Sequence, residues 1–324
     1  MRILISGITG FCGSHLAEFC IGKGCVVFGP FRQRSRMENI EHIRDEIWLR
    51  ECDMTDPNAT ESLVKWAKPN IVFHLAAQSF VGGSWDNAAS TIRTNIYCQL
   101  NLLEAIRKLK MDVVVIIAGS SEEYGIVTPE ECPIRETAEL KPTSPYGLSK
   151  VAQDLMGRQY YESYGMRIIR CRAFNHEGPR RGEQFVISNF AKQIVEIENG
   201  MKEPVIDVGN LDSERDFTDV RDVIRAYWLL AEKGDPGDVY NICSGISVKI
   251  KDVLQSLIKQ SAYNGNIDIK PDESRMRPSD IPFLRGSNEK IAGKIKWNPV
   301  IQIDETWQNM MAYWRLKIKS KKRS

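Results

Sequence analysis

A chain of 324 residues, 42% of them hydrophobic, can bury a large core without staples, and at roughly 150 residues per domain it reads as two domains or one large one. The 44 basic and 42 acidic residues leave a formal charge of +2, too weak a field to recruit nucleic acid or a membrane surface. The eight cysteines are scattered without a C-x-x-C pair, the N-terminus shows no signal-peptide pattern, and no apolar stretch approaches the ~18 residues of a membrane span, so a cytoplasmic location is expected.

Through the first half, short apolar runs alternate with helical periodicity: Arg2 to Ser6, Gly13 to Lys23, Cys25 to Gly29, Thr60 to Ala67, Ile71 to Leu75, Thr91 to Leu109 and Asp112 to Ala118. Strand, helix, strand repetition of this kind requires right-handed crossovers and a parallel sheet covered by helices on both faces. A long helical pattern after Tyr146 leads to another strand-like run, Met166 to Arg172. Beyond Phe174 the texture changes, and loop-forming stretches at 175–182 and 208–215 mix with helices. The expected architecture is α/β. A doubly wound Rossmann sheet is expected from 1–172 with parts of 216–243, and a smaller discontinuous lobe from 173–215 and 244–324. The basic run from Lys317 to Arg323 reads as a solvated end.

The first strand pattern runs into Gly7-Ile8-Thr9-Gly10-Phe11-Cys12-Gly13, which opens a helix. Glycines at such a turn let the backbone approach a pyrophosphate, whose charge the helix N-terminus favours. The first glycine interval is one residue longer than in the G-x-G-x-x-G fingerprint. After the second strand, where an NAD enzyme would place an acid near the ribose 2′-hydroxyl, the chain carries Arg32. Arginine there suits a 2′-phosphate, which favours NADP and leaves NAD as the alternative. Asp53 and Met54 are expected to face the adenine edge, and Leu75-Ala76-Ala77-Gln78 supplies small residues where backbone meets cofactor.

Tyr146 and Lys150 are four residues apart and share one helix face. An ammonium beside a phenol favours phenolate, so Tyr146 is expected to titrate nearer neutrality and to exchange a proton with a sugar hydroxyl. Upstream, a strand pattern ends in Ser120-Ser121-Glu122-Glu123, which brings hydroxyls and carboxylates to the same end of the sheet.

Together these motifs, with Phe174-Asn175-His176-Glu177-Gly178-Pro179-Arg180-Arg181-Gly182, Gly209-Asn210-Leu211, Arg215-Asp216 and Arg277-Pro278-Ser279, resemble the extended short-chain dehydrogenase/reductase family over nearly the whole chain. Within it they are most similar to the GDP-mannose 4,6-dehydratases and the GDP-4-keto-6-deoxy-mannose reductases. The resemblance implies that Tyr146 takes the C4 hydroxyl proton, that Lys150 holds the tyrosine and the nicotinamide ribose, and that Ser120, with Ser121 beside it, binds O4. Glu122 would remove the C5 proton and let water leave C6. The resemblance also implies that Asn95 and His176 serve the cofactor side and that Ser79, Glu122, Asn175, Arg180, Val208, Arg215 and Arg277 contact the nucleotide sugar. Glu122 favours dehydration over simple C4 reduction, with the reductase and a C4 epimerase as alternatives. Relatives form dimers or tetramers, with 92–108 and 150–163 as the implied dimer helices. Four dispersed histidines indicate no metal site.

Overall fold

The computed structural model describes residues 1–276 and 280–321. The dinucleotide half begins with strand β1 (Arg2–Ser6), helix α1 (Phe11–Gly22), β2 (Val26–Phe31) and β3 (Ile47–Glu51). It continues through α2 (Pro57–Ala67), β4 (Ile71–His74), the short α3 (Val81–Asp86), α4 (Ala88–Lys108) and β5 (Val114–Ser120) to α5 (Pro145–Tyr164) and β6 (Ile168–Ala173). Local chemistry sets several boundaries. Asp56 caps α2 by accepting from the Asn58 and Ala59 amides, with Pro57 in the first turn. Ser144 caps α5 through the Gly147 amide, Pro145 follows it, and Gly165 ends the helix in the left-handed region.

The remaining elements are β7 (Asn175–Glu177), α6 (Val186–Glu198), β8 (Val205–Val208), β9 (Glu214–Asp219), α7 (Val220–Lys233) and β10 (Val239–Ile242). After them come β11 (Ser247–Lys249), α8 (Ile250–Lys259), β12 (Asp268–Pro271), β13 (Phe283–Leu284), α9 (Glu289–Ile295) and α10 (Ile303–Lys321). The main sheet has seven strands in the order β10-β6-β5-β4-β1-β2-β3, all pairing in parallel. The order reverses between β1 and β4, and in a doubly wound sheet ligands bind in the crevice beyond the strand C-termini at that point. Buried aliphatics on one sheet face pack against α1, α7 and α9, and those on the other against α2 and α4. A third core joins α6, α8 and α10 in the smaller lobe.

The division between the lobes differs from the expected one at two places. Strand β9 leaves the main sheet and pairs with β7, β11 and β13, so the return to the dinucleotide domain starts at Val220 rather than at 216. The α9 segment, expected in the lobe, belongs to the dinucleotide core, because Ile291, Ile295 and Trp297 are buried there and the Trp297 indole donates to the Asp222 carbonyl at 3.0 Å. Trp297→Ala is therefore expected to cost about 3–5 kcal/mol of stability, read as a lower urea midpoint. Asp216 ties the lobes together by accepting from the Ser244, Gly245 and Gly286 amides and the Ser244 hydroxyl.

Candidate active site

The crevice at the reversal is the mouth of a cleft of about 1360 Å³ that runs between the sheet and the smaller lobe. A single small ligand occupies roughly 300–1,000 Å³, so this volume suits two ligands end to end. At one end lie Gly7, Thr9, Gly10, Phe11, Cys12 and Gly13. Gly7 has φ +75°, and a Cβ on Gly13 would lie 2.1 Å from the Gly7 carbonyl oxygen, so the turn admits no side chain. Gly10 caps α1 without a side-chain hydrogen bond, which leaves the positive helix end to a ligand. Gly13→Ala is expected to abolish dinucleotide binding, measured as loss of NADPH fluorescence enhancement.

Arg32, Ser35, Asp53 and Met54 line the cleft beyond the ends of β2 and β3, and Leu75, Ala76, Ala77, Gln78 and Ser79 line it beyond the end of β4. The Arg32 charge helps to hold the Asp53 carboxyl low, after the stronger hydrogen bonds from Thr55. The Gln78 side-chain oxygen is buried without a protein partner and lines the cleft, as a cofactor-facing acceptor would. Asn95 does not reach the cleft. Its amide side chain accepts from the Gln78 amide at 2.7 Å and donates to the Gln78 carbonyl and to Ser149, so it shapes the loop from below.

The residues expected to be catalytic come together because β5 ends at Ser120 and α5 starts beside it. Ser120, Ser121, Glu122, Tyr146 and Lys150 all line the middle of the cleft. The Tyr146 hydroxyl lies on the Ser120 side of the cleft, where Ser120 acts to lower it. The expected lowering of the phenol by Lys150 is absent. Burial pushes Tyr146 above its ordinary value, opposed by Ser120 and reinforced by the Glu122 and Glu123 charges. The Lys150 ammonium donates to the Ala118 carbonyl at 2.8 Å and lies 5.8 Å from the Tyr146 ring centre. Desolvation lowers Lys150 to about 8, partly offset by Glu123.

His176 and Asn175 line the cleft, and His176 is stacked on Phe11 and lies 3.0 Å from the Cys12 sulfur. Burial lowers His176 to about 4, so it works as a neutral hydrogen-bonding ring. The adjacent arginines diverge. Arg180, expected on the substrate, is instead absorbed by α1: it pairs bidentately with Glu18 at 2.8 and 2.7 Å and also donates to the Asn39 carbonyl. Arg181, with no firm place in the sequence argument, lines the cleft with its guanidinium 3.5 Å from the Phe185 ring centre and the buried Glu177 as its counter-ion. The signal was there only as two neighbouring arginines; the left-handed backbone of Arg180, φ 73°, decides which of them turns inward. Arg181→Ala is expected to raise KM for the nucleotide sugar or NADPH at least about tenfold, whereas Arg180→Ala lowers Tm and moves KM by only a few-fold, the share carried by coupling between the ligands; steady-state kinetics and a thermal melt separate the two.

Arg215 lines the cleft, where the carboxylate of Asp280 holds it at 3.0 Å. The Val208 side chain lies in the lobe core, and the cleft is lined there by Gly209 and Asn210. Arg277 lies outside the described residues; nearby, Arg275 lines the cleft and is braced by Asp272 and Asn189.

The family model for GDP-mannose 4,6 dehydratase matches residues 4–310. The chain belongs to this GDP-mannose 4,6-dehydratase family. Among its relatives, it is 32% identical to the GDP-mannose 4,6-dehydratase of Yersinia enterocolitica, over 96% of this chain and 93% of the relative. It is 30% identical to the GDP-6-deoxy-D-mannose reductase of Pseudomonas aeruginosa, over 98% of both. Among solved structures, RMD from Pseudomonas aeruginosa complexed with NADPH matches with a TM-score of 0.83 at 29% identity, over 98% of this chain and 100% of that one. The UDP-glucose 4-epimerase of Thermotoga maritima with UDP-glucose matches with a TM-score of 0.88 at 27% identity, over 98% and 100%. Membership accounts for the pairing of a glycine-lined dinucleotide end with an arginine-bearing lobe, and makes the chain an NAD(P)-dependent enzyme of nucleotide-sugar chemistry.

Proposed function

We propose that this protein is an NADP-dependent GDP-mannose 4,6-dehydratase that forms GDP-4-keto-6-deoxy-mannose. The observation that carries the reading is Glu122, a carboxylate lining the cleft beside Ser120 and Tyr146, where plain C4 chemistry needs no second acid/base. The turn at 7–13, Arg32, Gln78 and Lys150 fit a bound dinucleotide, with Arg32 on a 2′-phosphate. When bound, NADP supplies a hydride acceptor for C4 and a hydride donor for C6, together with a positive charge that favours the Tyr146 phenolate. Ser120 orients O4, and Tyr146 accepts its proton. The C4 ketone acidifies the C5 proton, which Glu122 removes; the same carboxyl then protonates the departing C6 oxygen as water, and the proton held on Tyr146 passes to C5 as C6 is reduced, which restores both side chains. Among the described residues, Arg181, Arg215 and Arg275 line the cleft as cations for a diphosphate, with Asn175 toward the sugar.

Reduction of a 4-keto sugar is the second reading, and the end-to-end match with the Pseudomonas reductase, 98% of both chains, favours it. Incubation with GDP-mannose and catalytic NADP separates them: formation of a 4-keto-6-deoxy product supports dehydration, and consumption only of the keto sugar with stoichiometric NADPH supports reduction.

The exposed side chains of Tyr97 on α4 and of Leu148, Leu155, Tyr161 and Tyr164 on α5 support assembly of two copies through these helices. Leu155→Glu is then expected to give monomers by light scattering. The eight unpaired thiols accord with a reducing compartment, and among the described residues no helix is long and apolar enough to cross a membrane.

A further inference from the structure

Beneath the catalytic group lies a carboxylate that the reaction as drawn does not use. Glu123 closes the 3-10 turn Ser121–Glu123 and is completely buried. One carboxylate oxygen accepts the Ser120 backbone amide at 2.7 Å, which completes a capping box with the Ser120 side chain. The other faces the Arg172 guanidinium of β6 at 3.3 Å and has no hydrogen bond, so it is held by charge alone. The chain makes room for it: a Cβ on Gly119 would lie 2.4 Å from the Glu123 oxygen.

We infer that Glu123 is a positioning residue that fixes Ser120 through its amide and, through its charge, keeps Lys150 protonated in the working enzyme. The inference rests on the assignment of Ser120, Tyr146 and Lys150 as the redox site.

Charge balance argues for the second role. The buried groups around Glu123 are Arg172 and Arg170 from β6, Asp154 and Lys150 from α5, and Tyr146 above them. Asp154 is already shared between the two guanidinium groups, so Glu123 is the remaining carboxylate available to balance the ammonium. Lys150 and Glu123 are anchored on consecutive residues of β5, the ammonium on the Ala118 carbonyl at 2.8 Å and the carboxylate against Gly119 and on the Ser120 amide at 2.7 Å, so the carboxylate favours a charge that burial disfavours. From β4, the buried His74 is held neutral by its burial, with the Lys150 charge adding to the effect, so it adds no further positive charge to the cluster. Burial and Asp154 push Glu123 itself upward, with Arg172 and Lys150 opposing, so the carboxyl and the ammonium titrate as a linked pair.

The sign follows. Without the carboxylate, Lys150 loses its proton at lower pH, and the alkaline limb of kcat moves toward acid. Glu123→Gln keeps an acceptor for the Ser120 amide and removes the charge; Glu123→Asp keeps the charge and withdraws the acceptor. In Glu123→Gln the alkaline limb of kcat should move down by about one pH unit with KM within about twofold. Glu123→Asp should keep the wild-type limb and lose about tenfold in kcat at every pH. The same pair is read without turnover by following the Lys150 side-chain resonance, assigned with Lys150→Met, in ¹³Cε-lysine protein against pH: its midpoint should fall in Glu123→Gln and stay in Glu123→Asp. Unchanged midpoints in both variants overturn the inference even if the substrate assignment stands. A shifted resonance in a protein that turns over neither sugar keeps the electrostatic role and overturns the functional reading instead. Thermal melts identify a variant that has failed to fold; if that is Glu123→Gln, the Asp variant carries the test through kcat: about a tenfold loss at every pH with the Lys150 midpoint kept supports the inference, and an unchanged kcat or a moved midpoint overturns it.

Discussion

Tyr146→Phe should lose about 1,000-fold in kcat while still binding NADPH and nucleotide sugar with affinities close to wild type. The phenyl ring preserves the packing of a side chain that is 8% exposed, so the lost property is the hydroxyl and its proton. That hydroxyl lies on the Ser120 side of the same cleft that holds the glycine turn. Burial raises the phenol, so the resting side chain is protonated, and activity should climb with pH until Lys150, lowered to about 8, begins to lose its charge. Stopped-flow measurement of the first hydride transfer, with equilibrium titration of each ligand, separates chemistry from binding. A variant that retains turnover would remove Tyr146 from the proton path.

Glu122→Gln should stop formation of the 4-keto-6-deoxy product by a factor of about 100–10,000, yet leave oxidation at C4 measurable as a single burst of NADPH absorbance. The amide cannot take the C5 proton, so the reaction stalls with the hydride stored. Exchange of the C5 proton with deuterium from solvent, visible by mass spectrometry in the wild type, should vanish in the variant. Preserved product formation would move the elimination step to another group, and complete loss of the burst would make Glu122 a substrate-orienting residue rather than the base.

How far the sequence speaks depends on whether a residue acts through its neighbours in the chain or through distant ones. The glycine turn was legible because Gly7 takes a left-handed φ and Gly13 meets the Gly7 carbonyl six residues away, though the atoms that crowd Gly7 come from Leu75 and Ala76. Tyr146 and Lys150 were legible as a helical pair, and the parallel order of strands followed from the alternation of patterns. Electrostatics was not, since the Tyr146 shift comes from burial by other elements and Lys150 turns to a carbonyl on β5. Asn95 and Val208 are near cofactor-facing or cleft-lining residues in the chain, but their side chains face the interior. Arg180 and Arg181 share a sequence context and part ways because a partner lies 162 residues away on α1.

That clamp between Arg180 and Glu18 joins the helix whose first turn receives the dinucleotide to the bend that aims Arg181 into the cleft. Any tilt of α1 on filling its positive end is carried by a two-pronged linkage to the bend that bears Arg181, a cation lining the shared cleft. Thermodynamic reciprocity then requires that each ligand alter the grip on the other by one common factor. Cutting the linkage should leave two pockets that fill independently.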